Sequence, residues 1–476
     1  MQADLKHAKS ARSEPGWTGW AVVVAVALAA MVWGRVYLHL SGLDRRAPSA
    51  EQTEIAVHLA RGHGYRSPFS DHPEAPPSAW SPPVYPYVLS WAYRVWGTPQ
   101  RPVTLEAVRA LGWLNAAALG VVAACAYVLV RRSFAGRGGM AAGLLAAAGV
   151  ALHPMLLRFV GDYWDGMLAL AMFFAAMVWA DPRTGTKGAA SCAGLGVLLG
   201  MLLLTNTAYV LAAAVLAGLG AWGGAGVGRG AGWTSVRRGV YVLLATAVTL
   251  APWTLRNLAV FETWMLVRSG AGFELWLGNR PGLLGWMGPE VLEMHPYRNA
   301  AERQRVLRMG EVAYSAEKAT AFGELVRADP WGFVARSARR AAYLMVGEPA
   351  SRMTAWPLSN ERTAVPGLGR VYLGRTAVLS AVAVAGLAGA WAVWRTRRRM
   401  GWVLVAGVAA VGPYVVSSAS DRYALPLRAV LVVLGAAGGA AGVAAAVSAR
   451  RAWADGTGVE GAGVSRTRQP ARGPAA

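Results

Sequence analysis

Cysteine is almost absent from this chain, and the two present, Cys125 and Cys192, both fall inside apolar runs. That excludes a disulfide framework and a cysteine-built metal cage, and both thiols read as small core hydrophobes. Histidine is scarce too, seven in 476 residues, with no pair at metal-ligand spacing. His63 and His72 read as polar loop residues, and no metal site is expected. There is no G-x-S-x-G elbow, no P-loop and no convincing dinucleotide fingerprint. The Gly-rich run Gly223–Gly232 follows an apolar run rather than a strand, so a phosphate cradle is not expected there. Acidic residues are few, 25 against 47 basic, for a net charge of +22. Such a charge could suit nucleic acid. Here the basic residues sit mainly at the ends of apolar runs, where they fix orientation and meet anionic headgroups, so no nucleic-acid partner is expected.

What the chain has in quantity is apolar surface: 55 % of its residues are hydrophobic. Several charge-free runs have the length that crosses the ~30 Å hydrocarbon core. The expected fold class is therefore an all-α polytopic membrane protein with about ten transmembrane helices. Expected spans lie near Trp17–Leu40, Ala107–Val130, Gly139–His153, Tyr163–Ala180, Ala189–Leu204, Thr207–Trp222, Gly239–Leu255, Tyr372–Trp394, Gly401–Val416 and Leu425–Val447. The expected division is a cytoplasmic tail at 1–16, a transmembrane domain at 17–449 and a Gly-, Ala- and Arg-rich cytoplasmic tail at 450–476, expected to be disordered. No cleavage pattern precedes the first span, which reads as a retained signal anchor.

Orientation follows from charge. With the N-terminus inside, the inner segments collect Arg131-Arg132, Arg237-Arg238, Arg397-Arg398-Arg399 and Arg450-Arg451. Their only acids are Asp4, Glu14, Asp181, Asp455 and Glu460. The other acidic residues fall outside, as the positive-inside rule predicts. The expected location is the cell membrane, multi-pass, with both termini cytoplasmic. Phe333–Val346 is half apolar but carries Arg336, Arg339 and Arg340. Three arginines at the bilayer centre would cost roughly 9 kcal/mol, so an amphipathic helix on the outer interface is expected instead.

Two outer loops, about 41–106 and 256–371, are long, and long loops on such a scaffold usually carry function. Both are rich in Trp and Tyr. Any single one reads first as part of an interfacial belt, while a cluster such as Trp80, Tyr85, Tyr87, Trp91 and Tyr93 is also what stacks on sugar rings. Carboxylates narrow the choice. Asp162 and Asp165 stand one helical turn apart at the start of the fourth expected span, where acids face water or a cavity. Glu51 and Glu54 are three apart on a short helical pattern, Glu51–Ala60, with Asp44 upstream. Solvated helix caps and faces are the plain alternative for both pairs. Arg256, Arg268 and Arg422 lie near span ends, where a guanidinium fork suits either a phosphate ligand or a lipid headgroup.

Taken in order, these pieces resemble the GT-C class of membrane glycosyltransferases, specifically the family 39 type that includes protein mannosyltransferase-like and aminoarabinose transferase-like proteins. The likeness runs from about Trp17 to Ala440. The first loop carries Ala56, Leu59, Gly62, Gly64 and Tyr65 in an A-x-x-L-x-x-G-x-G-[FY] pattern, then Pro82, Pro83, Tyr85 and Pro86. Asp162 or Asp165 matches the acidic site at the outer end of the fourth span. Pro252, Trp253, Arg256 and Asn257 match P-W-x-x-R-N. Gly272, Trp276, Gly278 and Asn279 match G-x-x-x-W-x-G-N, and Arg422, Tyr423 and Pro426 match R-Y-x-x-P. The family usually places an Asp just ahead of A-x-x-L; here the register holds Pro48 and then Glu51-Gln52.

The resemblance implies transfer of a sugar from a polyprenyl-phosphate donor to an outer-face acceptor, with inversion and without a cofactor. The acceptor could be lipid, protein or polysaccharide. Glu51 is the first candidate for general base, with Glu54, Asp44, Asp162 and Asp165 as further acidic candidates. Arg256, Arg422 and Arg268 would meet the donor phosphate, and Trp80, Tyr85, Trp276 and Asn279 the sugar or acceptor. A catalytically inactive relative that binds lipid-linked sugar is the alternative. A saccharide transporter is a weaker one, since it would want charges deep within spans and paired repeats.

Overall fold

The structure, a computed structural model, describes residues 17–45, 51–134, 136–184, 188–222, 231–280, 283, 289–347, 368–395 and 400–454. The expected N-terminal tail lies outside the described residues. Of the expected disordered tail, the first residues instead continue the last helix to Ala454, and the remainder lies outside. The described residues are helical, with no strand; the one β-bridge joins Arg66 to Pro77.

In chain order the helices are α1 Trp17–Ser41, α2 Glu51–Ala60, α3 Val84–Trp96, α4 Leu105–Arg131, α5 Gly136–Ala151 and α6 Pro154–Val160. They continue with α7 Gly166–Ala180, α8 Ala189–Thr205, α9 Val210–Trp222, α10 Ala231–Phe261, α11 Ala271–Leu277 and α12 Pro289–Leu292. The last are α13 Ala300–Met309, α14 Glu311–Ala328, α15 Pro330–Val346, α16 Leu368–Arg395, α17 Gly401–Val416 and α18 Leu425–Ala454.

Five of these, α1, α4, α10, α16 and α18, are long and apolar enough to cross a membrane, and the pair α5 and α6, bent by 55°, makes up to six. The other four expected spans are shorter. α7 has 15 residues, α8 17, α9 13 and α17 16. At about 1.5 Å per residue none of them reaches the ~30 Å core thickness by itself. The ten expected spans thus resolve into five or six long elements and four short apolar helices, with breaks at local signals. Pro154 opens α6 and breaks it from α5, and Asn206 ends α8 by accepting the backbone N–H of Ala208 with its side chain.

Caps set the outer elements. Thr104 accepts from Ala107 N–H at the start of α4, Asn299 from Glu302 N–H at α13, and Asp329 from Gly332 N–H at α15. Each satisfies a donor that a helix start leaves free. The main core joins α1, α4, α5, α7, α8 and α18 through residues such as Leu119, Phe173, Phe174 and Leu434. α16 lies tightly along α18, because a side chain at Gly389 would meet the Leu434 carbonyl.

The described part of the long segment after α10 is mostly helical, and one arginine ties it to the apolar helices. Arg340, on α15, is fully buried. It donates from Nε to Val415 O at 2.6 Å, and from its Nη atoms to Gly278 O and Asn279 Oδ1, both at 2.9 Å. It thereby satisfies carbonyls at the end of α17 that have no helical donor. Arg340→Leu is expected to cost on the order of 3 kcal/mol, read as a lower apparent Tm in detergent, because it leaves these acceptors buried and unpaired. An unchanged Tm would show that the contact is dispensable.

Candidate active site

A cavity of about 610 Å³ opens where the two long loops meet the end of α8, the start of α9, the end of α17 and the turn before α18. Glu51 and Gln52 from α2 line it, with Trp80 to Pro82, Trp164 and Asp165, Arg268, Glu274 and Arg422. Five of the residues singled out from the sequence thus share one cavity: Glu51, Trp80, Asp165, Arg268 and Arg422. They come from stretches up to 371 positions apart (422 − 51).

Local sequence explains how α2 presents its acids. The helix ends at Gly62 and Gly64, both near φ +85°, where a side chain would be strained. The chain then turns back through the Arg66–Pro77 bridge and brings Trp80 beside the first turn of α2. Trp80 is only 2 % exposed. Phe69 sits edge-on to its ring at 4.9 Å, and Phe273 tilts against it at 5.3 Å.

The stretch Ser78–Trp80 is held from two sides by charges of opposite sign. Arg256 donates to the Ser78 carbonyl at 2.7 Å and stacks over Trp253, with 4.8 Å to the ring centroid. Glu311, on α14, accepts from the Ala79 backbone N–H, and from the Ser78 hydroxyl at 2.9 Å. Burial drives the Glu311 carboxyl up to about 7, against the hydrogen bonds from Ala79 and Ser78 and the charge of Arg256, which pull it down. A carboxyl so raised keeps its proton in the folded protein after the unfolded chain, near 4.5, has released it. Its contribution to stability is therefore complete below about pH 4.5 and is lost as pH rises through about 7, a term on the order of 3 kcal/mol. Glu311→Gln cannot ionise. It is expected to flatten the fall of apparent Tm between about pH 5 and pH 8, and an equal fall in both proteins would contradict this.

Three arginines line the cavity, Arg268, Arg298 and Arg422, and two of them are largely buried in it. Arg422 lies with its guanidinium carbon 3.9 Å from the Trp164 ring centroid and donates to the Tyr423 hydroxyl at 2.9 Å. Tyr423 in turn stacks on Tyr414 at 4.0 Å. Arg268 pairs with Glu274 at 3.2 Å. The Nε–H of Arg422 and that of Arg268 are buried and have no acceptor among the described residues. A buried donor of this kind is costly unless a ligand supplies the acceptor.

The acids differ in placement. Glu51 pairs with His295 at 3.1 Å. Asp165 is buried, within the field of Arg422 and Arg268. Asp162 lines a small crevice beneath the cavity, together with Asp165 and Arg422. Glu54 stands beside the cavity rather than on it, 3.4 Å from the Tyr297 hydroxyl. Burial raises its carboxyl above the ordinary range, opposed by Tyr297 and Arg61. Asp44 sits apart, buried against α1 with Arg35 at 2.9 Å.

Four other residues singled out from the sequence do not line the cavity. Arg256 holds backbone, as described. Tyr85 is fully buried on α3 among Leu89, Ala92 and Tyr93. Trp276 is covered by Lys318, whose Nζ lies 3.9 Å from its ring centroid. Asn279 is buried, donates to Leu275 O and Val416 O at 2.8 Å, and accepts from Arg340. The glycines of that motif are packing sites: a side chain at Gly272 would meet Ser315 O, and one at Gly278 would meet Ser417 O. Sequence reasoning passed over His295, Glu274, Gln52 and Trp164, which carry no local pattern of their own. Among the described residues, no three His, Cys, Asp or Glu side chains converge in a way that could hold a metal ion.

No protein-family model matches the chain, and no curated protein matches its sequence. Solved structures do. The oligosaccharyltransferase of Archaeoglobus fulgidus, tethered to an acceptor peptide containing the NVT sequon, aligns over 94 % of this chain and 52 % of its own, at 15 % identity and TM-score 0.51. Its apo form aligns over 93 % and 53 %, at 15 % identity and TM-score 0.51. ArnT from Cupriavidus metallidurans, bound to undecaprenyl phosphate, aligns over 92 % and 80 %, at 15 % identity and TM-score 0.37. The chain spans about half the length of the oligosaccharyltransferase it matches. At such identity the likeness speaks for the fold, and that fold is the one of the GT-C class of membrane glycosyltransferases.

Proposed function

We propose that the protein is an integral-membrane glycosyltransferase that moves a sugar from a polyprenyl-phosphate donor to an acceptor hydroxyl on the outer face of the cytoplasmic membrane, with inversion. One observation carries this reading. Glu51 and Asp165 share a single cavity with Arg268 and Arg422, and both arginines keep an unpartnered buried Nε–H. An acid and a phosphate-binding pair are what displacement at an anomeric carbon needs.

In the proposed reaction the acceptor oxygen attacks C1 of the sugar and its proton passes to the Glu51 carboxylate. The bond from C1 to the phosphate oxygen breaks, and the polyprenyl phosphate leaves with the electron pair. Arg422 and Arg268 stabilise the charge that develops on it. Trp80 offers an aromatic wall to the sugar. Charge distribution supports the outer face: the long acid-bearing loops that build the cavity are those expected opposite the arginine-rich short loops. A donor with a lipid tail suits a cavity framed by the ends of apolar helices.

The test combines two measurements. Mass spectrometry of envelope glycans and glycoproteins, with and without the gene, should reveal a missing glycosyl substitution. Purified protein in proteoliposomes should move radiolabel from one of a panel of undecaprenyl-phosphate hexoses and pentoses to an envelope fraction. Identical glycan profiles, with no label moved from any donor, would sink the reading.

A further inference from the structure

His295 follows α12 on the second outer loop, and its ring is packed among aromatics, edge-on to Phe273 at 5.1 Å and to Trp80 at 6.3 Å. Its two nitrogens are committed differently. Nδ1 accepts from the backbone N–H of Tyr297 at 3.2 Å. An imidazole nitrogen that accepts carries no proton, so the proton of the neutral ring is on Nε2. Nε2 lies 3.1 Å from Glu51 Oε1. Nε2 thus lies at ion-pair distance from one oxygen of the carboxylate, and the other oxygen, Oε2, has no hydrogen bond or ion pair among the described residues.

That arrangement matters because a glutamate is a poor fixed base by itself. Its carboxylate turns easily about the last side-chain torsion, and Arg422 draws on it electrostatically. A donor fixed from behind by Phe273, Trp80 and the Tyr297 amide sets the carboxylate plane. We propose that His295 is the positioning residue of the acceptor-activating base: it holds Glu51 Oε1 so that Oε2 is the atom presented to the acceptor hydroxyl. This rests on the reading of Glu51 given under Proposed function. His295 takes no proton from the acceptor, since Nδ1 is occupied by the Tyr297 amide. The proton released as the glycosidic bond forms goes to Glu51 Oε2, and the leaving phosphate carries off the electron pair of the broken bond.

Two polar substitutions separate this role from packing. His295→Asn keeps an acceptor near the Nδ1 position for Tyr297 but has no donor long enough to reach Glu51. His295→Gln places an amide N–H near the Nε2 position. With undecaprenyl-phosphate sugars and an envelope fraction, His295→Asn should lower kcat about 10- to 100-fold, the scale of a misplaced reacting group. Its KM for the donor should stay within about threefold, and His295→Gln should recover kcat to within about fivefold. In the Glu51→Gln background, His295→Asn should cost nothing further.

Wild-type kcat in His295→Asn overturns the inference. So does a Gln variant as impaired as the Asn one, or further loss in the double variant. An Asn variant that does not fold while the Gln variant does assigns His295 to structure and overturns it as well. The parent reading fails by a different result, a Glu51→Gln enzyme that still transfers sugar at the wild-type rate.

Discussion

Glu51→Gln is expected to fold as the wild type does and to lower sugar transfer by about 10²- to 10⁴-fold, the usual worth of a positioned general base. The amide is nearly isosteric, and its carbonyl can still face His295 Nε2, so the contact at 3.1 Å need not be lost. What it loses is the capacity to take a proton. The loss should fall on kcat, with donor KM nearly unchanged, because Glu51 is assigned to the acceptor rather than to the phosphate. Single-turnover transfer in proteoliposomes measures this directly. A Gln variant with wild-type kcat would remove Glu51 from the chemistry and turn attention to Asp165, a buried acid of the same cavity.

Arg422→Leu should be nearly as damaging, with transfer falling about 10²- to 10³-fold. Arg422 and Arg268 are not equivalent. Arg268 already pairs with Glu274 at 3.2 Å, which offsets part of its charge, whereas no carboxylate lies within ion-pair distance of Arg422 among the described residues. The free charge stabilises a leaving phosphate more, so Arg268→Leu should cost less than Arg422→Leu. Lysine at 422 is expected to recover only part of the activity, because an ammonium cannot both lie flat on Trp164 and offer a forked donor pair. Equal rates in the Leu variant and the wild type would place the phosphate elsewhere.

Much of the scaffold was legible because apolar periodicity and helix punctuation are local. α2 at Glu51–Ala60 and α17 at Gly401–Val416 start and stop where the sequence pattern does. The long spans are recognisable from uncharged runs, whereas short apolar helices such as α9 have the same composition as a span at less than its length. Motif arginines were harder. Arg256 and Arg422 look alike in sequence, each polar and near a span end. One binds the Ser78 carbonyl, and the other faces the cavity. That difference is set by where Ser78 passes, 178 residues away. His295 gave no sign at all, since its meaning lies in an amide two residues on and a carboxylate on another loop.

The cavity also has an order of assembly. Glu51 and Trp80 leave the ribosome early, yet the groups that fix them, Arg256, His295 and Glu311, follow hundreds of residues later, and Arg422 comes later still. At about 5–20 residues per second, translation keeps the two halves apart for tens of seconds. During that interval the first long loop, with its buried aromatics and paired glutamates, has no folded counterpart to pack against. Chains halted before Arg422 should therefore insert most of their helices and still lack a competent pocket, because its last wall, Arg422 and Tyr423, has not been made.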